Sequence, residues 1–213
     1  MPGLYDIARP VLFRMDAENA HALTLRALKS GLVPKPKPVS NPALEVILWD
    51  RKFPNPVGLA AGFDKNAEVI GPLFDLGFGF VEAGTVTPKP QAGNPRPRVF
   101  RDAGSQSVIN AMGFPGGGIS AFRANMERFL SRRPRPNGVV GINIGMNKDQ
   151  TDPAKDYRVL VQALAPLADY LTVNISSPNT PGLRNLQSRE NLLPLLAAIM
   201  EERARACASA PPP

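Results

Sequence analysis

Four successive strand-then-helix units predict the first half of a parallel (β/α)8 TIM-type barrel, and three observations carry that expectation. Short apolar runs at 57–61, 78–83, 139–144 and 170–175 each end in a polar or glycine-rich segment. Each is apolar enough to be read as a strand buried on both faces of a parallel sheet. Segments at 66–76, 118–131, 154–168 and 190–206 carry apolar residues three and four apart, as in Leu192, Leu193, Leu195, Leu196, Ile199 and Met200. That spacing makes one apolar helix face. Finally, residues suited to chemistry gather behind the strands, at Gly62 to Lys65, Gly84 to Thr87, Gly145 to Lys148 and 176–184, where such barrels build their sites.

The elements follow in order. Residues 1–40 read as a helical extension with Tyr5, Ile7, Val11, Leu12, Phe13 and Met15, then a helix that Asp16 can cap and that carries Leu23, Leu25 and Leu28. This apolar leader either packs on the main domain or rests on a membrane. After the Pro/Lys linker at 34–38, Leu44 to Asp50 and Phe53 to Pro56 suggest a short hairpin, and residues 41–213 hold the barrel units. A complete barrel takes eight strands and about 250 residues, whereas this chain reaches residue 213 after its fourth helix. The Ala-Ser-Ala-Pro-Pro-Pro tail reads as a loop entering a fifth strand, so the expectation is the N-terminal half of a longer barrel. The alternative is a non-catalytic half-barrel completed by a partner or by its own copy.

Composition narrows the function classes. The chain is 43% hydrophobic and 20% charged, the balance of a folded domain with one sizeable core. A single cysteine, Cys207, excludes an intrachain disulfide, and a single histidine, His21, excludes the usual His/Cys metal clusters, so no metal site is expected. The net charge of +7 suits an anionic ligand, an acidic lipid surface or nucleic acid. The basic-proline pieces at 35–38, 96–98 and 133–136 lack interleaved aromatics for base stacking. They read as solvated turns, and nucleic acid is not expected. No stretch approaches the roughly 20 apolar residues of a spanning helix. Asp6, Arg9, Arg14 and Asp16 interrupt the N-terminus where a signal peptide needs an apolar core.

The segment Asn174-Ile-Ser-Ser-Pro-Asn-Thr-Pro-Gly-Leu-Arg184 sets small polar side chains directly behind the strand Tyr170 to Val173. Pro178 and Pro181 stop the strand and Gly182 lets the chain turn, displaying those groups on a loop. Gly58-Leu-Ala-Ala-Gly-Phe-Asp-Lys65 ends another strand with residues small enough for a flat ligand to lie against backbone, with Lys65 as a cation. Asn110, Asn143, Asn174, Asn179 and Ser177 add neutral hydrogen-bonding groups. Together they fit a small planar polar molecule. Taken singly, each asparagine also suits a turn or cap, Ser177 a satisfied turn hydroxyl, and Thr180 a packing residue before Pro181.

These segments resemble the dihydroorotate dehydrogenases, specifically their membrane-associated, quinone-using class, from about Tyr5 to about Arg203. The resemblance rests on Asn55 to Lys65, Gly77 to Glu82, Gly84 to Pro88, Gly93 to Arg101 and the 174–184 loop. It implies FMN-dependent oxidation of dihydroorotate to orotate in pyrimidine synthesis, with electrons passed to a membrane quinone. By position in the motifs, the resemblance implies that Ser177 is the catalytic base. It likewise implies that Ala61, Gly62, Lys65, Thr85, Asn143 and Asn174 contact the flavin and that Lys65, Asn110, Gly113, Phe114, Asn174 and Asn179 hold the substrate. The leader resembles the extension that gives this class its peripheral membrane contact, on the cytoplasmic side of the inner membrane, with His21 and Arg101 lining the quinone tunnel. For His21 the sequence pattern also allows a half-buried helix histidine. Two positions depart from the family pattern: Met146 stands where a lysine is usual, and Pro115 where a small polar residue is usual. The family's second half supplies a further flavin-contacting lysine, a Thr-Asn substrate pair and the FMN phosphate site.

Overall fold

The computed structural model describes residues 4–37 and 41–208. The expected loop at 209–213 and the boundary at residue 40 lie outside the described residues. Helices α1 (Leu4–Arg14) and α2 (Ala17–Ser30) form the extension. Asp16 caps α2 by accepting from the Asn19 N–H at 2.9 Å, as its position predicts, and Gly31 ends it at φ 71°. Ala20 and Leu28 of α2 are buried, whereas Tyr5, Ile7 and Val11 of α1 remain exposed.

The hairpin forms between β1 (Val46–Leu48) and β2 (Arg51–Phe53). Its two-residue turn, Trp49 and Asp50, has φ of 52° and 56°, the conformation that matches strand twist. It closes the N-terminal end of the sheet: Phe53 meets Phe80 edge-on at 5.6 Å, Trp49 lies 6.0 Å from Tyr170, and Arg51 pairs with Asp169 at 3.4 Å.

The main sheet has four parallel strands in chain order, β3 (Gly58–Leu59), β4 (Phe80–Val86), β7 (Val139–Ile144) and β8 (Tyr170–Val173). Its helices are α3 (Ile70–Asp75), α4 (Gly118–Leu130), α5 (Pro153–Leu164) and α6 (Arg189–Ala206). Between β4 and α4 the chain makes an antiparallel hairpin, β5 (Val99–Asp102) and β6 (Ser107–Asn110). The predicted four units are therefore present, with one insertion.

Three expectations need correction. The helix expected over 66–76 begins only at Ile70, because the Asp64 carboxylate accepts from the N–H groups of Glu68 and Val69 at 2.8 Å and holds 64–69 as a turn. Helix α5 stops at Leu164 and continues as a 3-10 turn, Ala165–Leu167, since Pro166 cannot continue an α-helix. The strands are not all apolar on both faces. Val81, Ala83, Val140, Ile142 and Ile144 pack toward Leu73, Phe122, Met126, Leu160 and Leu164 in the core. The alternate residues Glu82, Asn143, Tyr170 and Thr172 share the opposite face and hydrogen-bond there. That is the face a closed barrel would enclose. Gly141 serves close approach: a Cβ there would stand 2.1 Å from the Tyr170 ring.

Candidate functional site

A cavity of about 780 Å³ opens at the C-terminal ends of the strands, within the roughly 300–1,000 Å³ usual for small-molecule sites. Four parts of the chain wall it. Helix α2 gives Ala17, Glu18 and His21. The segment after β3 gives Ala60, Ala61, Gly62, Phe63 and Lys65, and the sheet gives Glu82, Thr85, Asn143 and Asn174. The β5–β6 hairpin and the loop behind it give Val99, Arg101, Val108, Asn110, Met112, Phe114 and Pro115.

The sheet residues form one hydrogen-bonded group. Thr85 Oγ1 donates to Asn143 Oδ1 at 2.6 Å, and Asn174 Nδ2 donates to Thr85 Oγ1 and Asn143 Oδ1, both at 3.1 Å. Asn143 Nδ2 donates to Glu82 at 2.7 Å. Glu82 also accepts from Tyr170 Oη at 3.1 Å and Thr172 Oγ1 at 2.9 Å. Burial and the neighbouring Glu82 carboxylate push the Tyr170 phenol well above its ordinary value, so it stays a neutral donor. Lys65 Nζ donates to the Gly62 carbonyl at 2.5 Å, and burial pushes its ammonium pKa down.

The extension is fixed to this wall by charge and by carbonyl contacts. Arg98, 6% exposed, grips Glu18 with two bonds at 2.6 and 3.1 Å and donates to the carbonyls of Ala92 and Asn94 at 2.6 and 2.8 Å. The reading of 96–98 as a solvated turn is thereby corrected: Arg98 is a buried clamp, and Arg96 adds a third contact to Glu18 at 3.0 Å. Arg101 donates to the carbonyls of Leu12 and Met15 and stacks over Phe13 at 4.8 Å.

His21 Nε2 lies 2.7 Å from the Phe63 carbonyl, which can only accept, so Nε2 carries the proton. Burial and Lys65 push its pKa below the ordinary 6.5. The folded state therefore resists protonating His21. Its contribution is complete above pH 6.5 and is lost as pH falls through the lowered folded value. A His21→Gln variant is expected to lose less stability than the parent between pH 7 and pH 5 in urea unfolding; equal losses would contradict this.

Of the predicted site residues, Ala61, Gly62, Lys65, Thr85, Asn143, Asn174, Asn110, Phe114, His21 and Arg101 all line the one cavity. Gly113, Ser177 and Asn179 do not line it. Gly113 and Phe114 take φ of 68° and 51°, and their carbonyls are held by Gln91 Nε2 at 3.1 Å. The 176–184 loop reaches the cavity's edge where Asn179 Nδ2 donates to the Asn110 carbonyl at 3.4 Å. Ser177 Oγ accepts from the Asn179 N–H at 3.2 Å. Thr180 is buried, and its hydroxyl has no hydrogen-bond partner among the described residues. Sequence reasoning missed Glu18, Glu82 and Arg98. For Glu82 a signal existed, a carboxylate inside the apolar run Phe80 to Ala83.

Four β/α units with a polar-lined cavity at their strand ends define a (β/α)8-barrel protein with a small-molecule site. The chain belongs to the dihydroorotate dehydrogenase family, which it matches over residues 43–210. It is 54% identical over its whole length to the dihydroorotate dehydrogenase (quinone) of Rhodospirillum rubrum, covering 57% of that protein. It is 53% identical to that of Rhodopseudomonas palustris over 94% of this chain and 54% of the relative. Among solved structures, the Eimeria tenella enzyme in complex with ferulenol superposes with a TM-score of 0.83 at 42% identity, covering 88% of this chain and 51% of that one. The ligand-free form gives 0.83 at 41% identity, covering 92% and 57%. The chain spans about half the length of the curated relatives it matches.

Proposed function

We propose that this chain supplies the first four units of an FMN-dependent dihydroorotate dehydrogenase that hands electrons to a quinone, in pyrimidine (UMP) synthesis. The supporting observation is convergence. Lys65, Thr85, Asn143 and Asn174 meet at one cavity that also receives His21 and Arg101 from the extension's side. The residues present fit a flavin. Ala60, Ala61 and Gly62 line the cavity with small groups, and Asn143 and Lys65, which also line it, would offer such a ring amide and ammonium donors. When bound, FMN would supply the two-electron redox chemistry that links substrate to quinone.

The chain's own residues bind, orient and accept a proton. Lys65 faces both flavin and substrate. Asn110, Gly113, Phe114, Asn174 and Asn179 hold the ring and carboxylate of dihydroorotate, with the loop at 110–115 fixed by Gln91. Ser177 Oγ takes a substrate proton. Among the described residues its one bond comes from the Asn179 N–H, which leaves the hydroxyl proton free for a water relay. Quinone enters between α2 and the β5–β6 hairpin, past His21 and Arg101. The exposed Tyr5, Ile7 and Val11 of α1 make peripheral contact with the cytoplasmic side of the inner membrane. No helix among the described residues is long and apolar enough to cross it.

The test joins this chain to the remaining C-terminal portion of the Rhodospirillum rubrum relative. The completed barrel is expected to couple dihydroorotate oxidation to quinone reduction, and Lys65→Ala is expected to lose bound FMN on gel filtration. The 213-residue chain alone is expected to hold FMN weakly. Stoichiometric FMN on the chain alone would instead support a half-barrel that completes itself.

A further inference from the structure

Glu82 belongs to none of the roles assigned above, yet it stands at one end of the polar network. We propose that Glu82 is a positioning residue that fixes the polarity of the strand-end network and so makes Asn143 a hydrogen-bond donor toward the cavity. Its three partners are neutral side chains, Asn143 on the adjacent strand β7 and Tyr170 and Thr172 on β8, the strand beyond it. A carboxylate accepts and does not donate, so Asn143 must turn Nδ2 toward it and Oδ1 away. Oδ1 then receives the Thr85 hydroxyl proton and one N–H of Asn174. Thr85, its proton committed, accepts the other N–H of Asn174. Asn174 is thereby turned to offer Oδ1 to the N–H and hydroxyl of Ser176, at 3.2 and 3.3 Å, beside Ser177. Every bond in the series has one permitted direction, set by Glu82 at one end and by the Ser176 N–H at the other.

Counting protons identifies what remains for a ligand. Asn174 uses both N–H groups within the network. Asn143 uses one on Glu82, and its second has no partner among the described residues. Asn143 lines the cavity, so this part of the wall offers an N–H and selects a ligand edge bearing acceptors.

The experiment separates the network from the ligand, because the ligand arm rests on the flavin reading above and the network arm does not. Thermal unfolding of the 213-residue chain is compared for Glu82→Gln, Asn143→Asp and the double variant. Each single change is expected to lower the midpoint by several degrees. The double variant is expected to regain most of the loss, since an amide at position 82 can donate to a carboxylate at position 143, and that carboxylate still accepts from Thr85 and Asn174. Emission from Trp49, the single tryptophan, 6.0 Å from Tyr170, is expected to shift in the single variants and return in the double. Additive midpoint losses would overturn the assignment of polarity to Glu82. In the completed barrel the double variant is expected to bind FMN about tenfold or more weakly despite its regained stability, because a carboxylate at position 143 has no N–H to offer. Unchanged FMN affinity would overturn the donor role. If the parent barrel failed to bind FMN, the functional reading would fall, while the unfolding comparison would still decide the network.

Discussion

Arg98→Ala is expected to cost on the order of 3–5 kcal/mol of folding stability, the size reported when one partner of a buried ion pair is removed. The geometry supports a value in that range rather than the smaller one of a surface pair. The Arg98 and Glu18 side chains are 6% and 12% exposed, so solvent screens them little. Removal also takes the guanidinium donor from the carbonyls of Ala92 and Asn94. Arg98→Lys is expected to recover only part, because an ammonium cannot span the carboxylate and both carbonyls in one plane. The Arg98 guanidinium holds the Glu18 carboxyl below its ordinary 4.5, opposed by burial. The clamp's contribution is therefore complete above pH 4.5 and lost as pH falls through the lowered folded value. Urea unfolding followed by Trp49 emission checks the magnitude, and proteolysis of α2 checks its release. A loss below about 1 kcal/mol would place Arg98 with ordinary surface pairs.

In the completed barrel, Ser177→Ala is expected to lower kcat for dihydroorotate about 10²–10⁴-fold, the usual contribution of a positioned general base. KM is expected to change little, because among the described residues Ser177 bonds to no ligand-holding side chain, its one bond being from the backbone N–H of Asn179. Ser177→Cys is expected to keep part of the activity, since a thiol ionises more readily. Single-turnover flavin reduction measures the effect without interference from quinone turnover. An unchanged rate would return Ser177 to the role of a turn hydroxyl.

The legible parts of the fold were those decided by local pattern. The run Val139 to Ile144 is a strand to the residue, and Asp16 caps α2 as its position predicts. The start of α3 was not legible, because it depends on the Asp64 carboxylate turning back on 68 and 69. The β5–β6 hairpin is hidden in the sequence because Arg101, Asp102 and Ser107 break its apolar pattern, and it gains its support from α1 rather than from burial in the core. Arg98 misleads for a similar reason: a proline-flanked arginine looks solvated, and its partner Glu18 lies 80 residues away in sequence. The candidate site was legible as motifs, and most of its residues reach one cavity. What sequence could not show was that Glu82 ties those motifs together across three strands, since register between distant strands is set only on folding.

The most direct test of the central claim is the visible spectrum of the completed barrel under anaerobic conditions, before and after dihydroorotate and then quinone. The proposal predicts a stoichiometric flavin band that bleaches with dihydroorotate and returns with quinone. A bound flavin band that dihydroorotate leaves unchanged would contradict it.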